Sequence, residues 1–153
     1  MPEGEAPDRI EPKTLGDYLE VMSKAVFQSG MSWRVVETKW AGIRDGFRGF
    51  DAQAVATMGE PDIDTLATDT RVIRNRRKLA AVVENANRML QLEAEHGTFR
   101  DYLRSHDSFA ATVSDLRKQF KFLGETGSYF FLYVVGEQVP PHEEWEASKR
   151  KGR

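Results

Sequence analysis

The stretch Phe120-Lys121-Phe122-Leu123-Gly124-Glu125-Thr126-Gly127-Ser128-Tyr129 constrains this chain more than any other. Apolar side chains crowd its front, two glycines stand three apart in its middle, and an aromatic run to Tyr133 follows. Upstream, Val113, Leu116 and Phe120 keep helical spacing; downstream, Tyr129, Leu132 and Tyr133 do the same. The pattern predicts helix, tight glycine turn, helix. Glycine lets backbone amides approach a ligand closely, and the amides that open a helix have no partner within it. Such amides can grip a phosphate. The same pattern also fits a buried helical hairpin that touches no ligand, and periodicity alone does not separate the two.

The rest of the chain reads as helix as well. Leu15, Leu19, Met22 and Val26 form one stripe, opened by Thr14 or Asp17 and stopped near Gly30. Ser32 caps a second helix with Trp33 in its first turn and Val36, Trp40 and Ile43 on its apolar face; Trp33, Glu37, Trp40 and Arg44 fall on roughly one side. Asp51 opens a short helix to Met58, and Asp62 opens another with Ile63 and Leu66. A long helix runs from about Asn75 to Glu95, a short one holds Phe99, Tyr102 and Leu103, and residues 105–112 form a polar joint before the hairpin. Pro140-Pro141 forces an extended exit, and Trp145 tacks the tail onto the body. No stretch alternates with period two. The expectation is an all-α, single compact helical domain over residues 14–146, with a flexible lead at 1–13 and a basic tail at 147–153.

Composition excludes several classes. The chain has no cysteine, so disulfides and thiolate metal sites are out, and its three histidines form no metal-binding pair. No metal and no cofactor are expected. No apolar run is long enough for a membrane, and a soluble, intracellular protein is expected. Net charge is −2, which gives no global signal for nucleic acid. Locally, however, Arg71, Arg74, Arg76, Arg77 and Lys78 gather at the start of the long helix, where positive charge opposes the helix dipole. A bound anion would relieve that conflict; so would plain solvation.

Four motifs in order resemble one family. Phe27-Gln28-Ser29-Gly30-Met31-Ser32-Trp33 is similar to the Q-A-G-L-S-W segment of the DNA-3-methyladenine glycosylase I family. Phe47…Phe50-Asp51 resembles its F…FD. Val72-Ile73-Arg74-Asn75-Arg76-Arg77-Lys78 resembles IIRNRxKI, with Asn85-Ala86 in register, and Phe120 to Thr126 resembles FKFVGTT. The resemblance runs from about residue 18 to His142. It implies a helix-hairpin-helix fold and a monofunctional DNA glycosylase of base excision repair. Such an enzyme flips an alkylated purine such as 3-methyladenine out of double-stranded DNA and hydrolyses its N-glycosidic bond. A monomer, cytoplasmic and DNA-associated, is expected.

Carried over residue by residue, Trp33 would stack on the base and Gln28 would edge the pocket. An indole face suits a flat cation. The hairpin residues Leu123, Gly124, Thr126, Gly127 and Ser128, with the Lys121 ammonium, would face DNA phosphate. Arg74, Arg77 and Lys78 would add phosphate contacts. No catalytic residue is identified; Glu37, one turn after Trp33, is a candidate acid, and Glu20 reads as structural.

The chain also departs from the family. The zinc that the family holds with two cysteines and two histidines cannot form, although His142 stands near one ligand position. The family's base-reading glutamate aligns with Ala25, whose methyl group accepts no hydrogen bond. The segment before the first helix is short and lacks the family's aromatic and cysteine motif. These departures support an alternative: a non-catalytic DNA-binding or lesion-recognition module on the same scaffold. A helical protein-interaction domain is the third reading.

Overall fold

A computed structural model describes residues 8–151, with side chains described through residue 148. The expected lead over residues 1–7 and the last two residues of the basic tail lie outside the described residues. All regular elements among the described residues are helical: α1 Leu15–Gln28, α2 Trp33–Gly46, a 3-10 turn Arg48–Phe50, α3 Ala52–Ala56, α4 Glu60–Thr68, α5 Arg76–His96, α6 Phe99–Leu103, α7 Phe109–Gln119, α8 Glu125–Val134 and α9 His142–Lys151. None is long and apolar enough to cross a membrane.

Local side chains set most of the starts. Thr14 Oγ1 accepts from the Asp17 amide at 3.2 Å while the Asp17 carboxylate accepts from the Thr14 amide at 3.1 Å, a reciprocal cap on α1. Ser32, Asp51, Asn75, Thr98 and Ser108 cap α2, α3, α5, α6 and α7 in the same way, each with a side-chain oxygen on a first-turn amide. The α4 start differs from the sequence reading. Asp62 sits inside the first turn and accepts from the Gly59 amide at 2.9 Å. Pro61 shares that turn, where a missing N–H costs nothing.

The core forms around α5, whose Leu79, Val82, Ala86 and Met89 are fully buried. α1 brings Leu19, Met22, Val26 and Phe27 against it, all fully buried, and α3, α4 and α6 cover its other sides. Trp40 of α2 stacks on Phe50 with ring centroids 5.4 Å apart, and Phe50 stacks on Phe47 at 5.7 Å. Phe99 joins this core to α8 through Phe131 and to the hairpin through Phe120.

Segments on either side of the helical body pack against α8. The Ile10 amide donates to the Val134 carbonyl at 2.7 Å, and the Arg9 guanidinium donates to the Glu137 carbonyl at 2.6 Å while lying over the Tyr133 ring. Residues 8–13 form no helix, and Arg9 and Ile10 within them are bonded to the end of α8 and the turn after it. The expected basic tail is helical as far as Lys151, in α9. Trp145 does tack α9 down: it is buried and stacks on Tyr129 at 4.8 Å.

Between α6 and α7, Asp115 accepts from the Tyr102 hydroxyl at 2.6 Å and lies 3.0 Å from His106 Nε2. Burial pushes the Asp115 carboxyl up, but hydrogen bonds from Tyr102, His106 and Gln119 outweigh it and leave the group below its ordinary range. A depressed carboxyl stabilises above its unfolded value and ceases to as pH falls through the folded one. Melting temperature should therefore drop as pH falls below ~4, and drop less steeply in Asp115→Asn; parallel pH profiles would contradict this.

Close approach explains one glycine. A Cβ on Gly42 would stand 2.5 Å from the Arg71 carbonyl oxygen, so α2 can lie against that backbone only without a side chain there. Gly42→Ala should destabilise by about 1–3 kcal/mol, measured by denaturant unfolding; unchanged stability would show that the two segments separate freely.

Candidate nucleic-acid interface

Two lips face each other, and α5 holds both. Lys78 and Asn85 are seven positions apart, which places them on one face of the helix about 10 Å apart along its axis. Both are buried. The Lys78 ammonium donates to the Phe27 carbonyl at 3.1 Å and to the Ser29 carbonyl, closing the C-terminal end of α1. Burial lowers its pKa, while the negative end of the α1 dipole favours its charge. Asn85 accepts from the Lys121 amide at 2.8 Å and donates to the Lys121 carbonyl at 3.2 Å, a two-pronged clamp on the turn between α7 and α8.

That turn presents Lys121, Phe122 and Gly124 outward, while Phe120 and Leu123 are buried. Phe122 has φ 58, in the left-handed region that a bulky residue enters at a cost, and its ring is 42% exposed. Gly124 has φ −87 and ψ −171, which any residue can adopt, and a Cβ built there meets nothing within 4 Å. Neither conformation nor internal packing requires glycine at this position. The first capping bond of α8 runs from the Ser128 amide to the Gly124 carbonyl at 2.8 Å. Amides ahead of it open the helix.

Two clefts adjoin on this surface. The first, about 590 Å³, runs along the end of α7 and is lined by Ser114, Arg117, Lys118, Phe122, Leu123 and Gly124, with Ser29 and Phe120. The second, about 490 Å³, lies between the end of α1 and the start of α8. Ala25, Gln28, Ser29 and Gly30 form one wall; Glu125, Thr126, Gly127 and Phe130 form the other; Arg117, Phe122 and Gly124 stand between the clefts and line both.

Several expected residues converge here. Gln28, Thr126 and Gly127 line the second cleft, Leu123 the first, and Gly124 both. Lys121 is exposed at the turn. Four others have different places. Lys78, expected to face phosphate, is buried on carbonyl oxygens. Ser128 is fully buried; its amide donates to the Gly124 carbonyl within α8, and its hydroxyl is buried without a hydrogen-bond partner among the described residues. Glu37 lines neither cleft; it pairs with Lys24 at 3.0 Å, and Lys24 lies over Trp40. Trp33 is half-buried at the first position of α2 and also lines neither cleft; the rings that do are Phe120, Phe122 and Phe130. Glu20 is structural, accepting from Trp40 Nε1 at 2.8 Å and pairing with Arg44.

The basic cluster resolves into separate roles. Arg76 pairs with Glu60 and Asp64 of α4, and Arg71 with Asp69 and Asp45. The hydrogen bonds they donate to these carboxylates raise the pKa of both arginines. The protein's own acids thus relieve the unfavourable charge at the α5 start. Arg74 and Arg77 remain exposed, with no ion-pair partner among the described residues. Lys118 and Phe122, which line the groove, escaped the sequence reading; their signal was position, beside the hairpin glycine. Asn85 had a clearer one, a polar residue between Val82 and Ala86 on a buried stripe.

Asn85→Ala would leave two backbone groups of Lys121 without their partner. It should destabilise by about 1–3 kcal/mol and speed amide exchange over residues 121–124. Unchanged exchange there would show that the hairpin holds itself.

Comparisons with known proteins give the chain a family and a fold. The family model for methyladenine glycosylases matches residues 16–126. The chain is 32% identical over 130 residues to the DNA-3-methyladenine glycosylase of Haemophilus influenzae, covering 71% of this chain and 70% of that protein. It is equally identical to DNA-3-methyladenine glycosylase 1 of Escherichia coli, with the same coverage. In structure it is similar to 3-methyladenine DNA glycosylase I from Staphylococcus aureus, with a TM-score of 0.74 and 25% identity over 83% of this chain and 79% of that one. A second 3-methyladenine DNA glycosylase I structure gives a TM-score of 0.72 at 28% identity, over 83% of this chain and 81% of that one. The zinc implied by the resemblance does not fit the residues present. There is no thiolate, His142 lies against the Tyr129 ring and Glu146, and no group of three or more candidate ligands gathers among the described residues. By the family model and by its identity to these relatives, the chain belongs to the methyladenine glycosylase family.

Proposed function

We propose that this protein is a monofunctional DNA glycosylase that hydrolyses the N-glycosidic bond of an alkylated purine such as 3-methyladenine, acting as a monomer on double-stranded DNA in the cytoplasm. One observation carries the reading: a cationic groove and a cleft with aromatic walls share the hairpin as their common border. The groove suits the sugar-phosphate strand, with Arg117, Lys118 and Lys121 for charge and the amides around Gly124 for direct contact. The cleft suits a nucleotide turned out of the helix, and Phe122 and Phe130 offer faces for a flat ring. An N-alkylated adenine is cationic, so its glycosidic bond is already weak and less barrier must be removed. Orientation and exclusion of water supply much of what remains. No lysine ammonium lines the second cleft, which favours hydrolysis over a covalent imine.

Ala25 on the cleft wall favours a second reading, a lesion-binding module without base release. Incubation with methylated duplex DNA separates the two. The glycosylase releases free methylated base and leaves abasic sites; tight binding to an abasic-analogue duplex with no release selects the module.

Side chains on the hairpin test the geometry. Gly124→Val should keep the melting temperature and weaken duplex binding by about tenfold or more, since blocking the turn costs phosphate contacts. Phe122→Ala should lower base release by roughly five- to a hundredfold if its ring stacks on the base. Trp33→Ala, at the position for which the resemblance implies stacking, should lower release by less than about threefold. The reverse ranking would place the base at the start of α2 instead.

A further inference from the structure

We infer that Glu125 sets the specificity of this site by supplying the negative charge that favours a cationic purine over a neutral one. The inference rests on the functional reading above and deepens it. Among the side chains lining the second cleft, Glu125 is the one carboxylate. It shares the cleft with Arg117, its ion-pair partner, with the Phe122 and Phe130 rings and the Gln28 amide, and, on the opposite wall, with the Ala25 methyl group. Aromatic faces with one acid make a site for a flat cation.

The carboxylate is held without being used up. Arg117 Nη1 donates to Glu125 Oε1 at 3.0 Å, and no hydrogen bond from the described protein reaches Oε2. The side chain is 31% exposed, so the carboxylate is not sealed within the protein. Arg117 lines both clefts and Glu125 only the second. The pair therefore spans the border between the clefts, and Glu125 is its one member that lines the second cleft alone. Its position at the first turn of α8 also suits an acid. Without Arg117, the same acid would repel a phosphate at the turn. The other acids near α1 and α2 are spent elsewhere: Glu37 on Lys24, Glu20 on Trp40 and Arg44.

A purine alkylated on the ring carries a positive charge that an ordinary purine lacks. Its attraction to the carboxylate of Glu125 adds to stacking, whereas a neutral purine gains stacking alone.

The test uses two small ligands that differ by one ring methyl group and the charge it brings, 3,9-dimethyladeninium and 9-methyladenine, titrated into the full chain. Wild type should bind the cation about tenfold more tightly, and Glu125→Gln should reduce that preference to about threefold or less, the range expected for one partly exposed charge. Adding Ala25→Glu to Glu125→Gln returns a carboxylate to the opposite wall and should restore the preference, which a merely structural role for Glu125 does not predict. Equal binding of both ligands by wild type, or an undiminished preference in Glu125→Gln, overturns the inference. If Glu125→Gln melts early, the Arg117→Gln variant, which keeps the acid, decides: a retained preference supports the inference and a lost one defeats it. Failure of wild type to release base from methylated DNA defeats the glycosylase reading instead, and leaves the cation preference as a separate result.

Discussion

Lys78 and Asn85 are buried polar groups on one face of α5, and each is bonded to the backbone of a different segment. One closes the end of α1; the other grips the turn between α7 and α8. A buried polar group left unpaired is expensive, so both contacts are strongly preferred wherever α5 itself is folded. Their spacing along the helix fixes the separation of the two lips. The cleft is therefore set by a rigid element of the core rather than by the loops that line it.

Charge follows the same division. The acids of α2 and α4 neutralise Arg71 and Arg76, and Lys78 is withdrawn into the interior. On the hairpin side, Arg117 meets a single acid, and Lys118 and Lys121 stay exposed. A chain with a net charge of −2 can thus present a positive groove where its backbone is most approachable. Hairpin strain belongs to the same surface, since Phe122 keeps a left-handed backbone and an exposed ring beside Gly124.

The fold was largely legible because helical periodicity and caps are local signals. The stripes of α1 and α2, the Thr14 and Ser32 caps and the glycine hairpin all lie where the spacing put them. Asp62 misled because an acid three residues into a helix resembles one at its start. Site residues were harder, since their roles depend on what lies across the fold. Lys78 in a run of arginines reads as surface, and nothing local shows that carbonyls of α1 await it. Glu37 follows Trp33 by one turn, yet that face of α2 lies against Lys24 of α1. Gln28 and the hairpin glycines were recognisable because motif resemblance carries long-range information that periodicity lacks.

The central claim is that DNA binds across both lips fixed by α5. Hydrogen exchange of the full chain, with and without a duplex carrying an abasic analogue at low salt, tests it most directly. The account predicts that amides at residues 28–30 and 121–127 become protected together. Protection confined to another face, such as α3 and α4, with both lips unchanged, would contradict it.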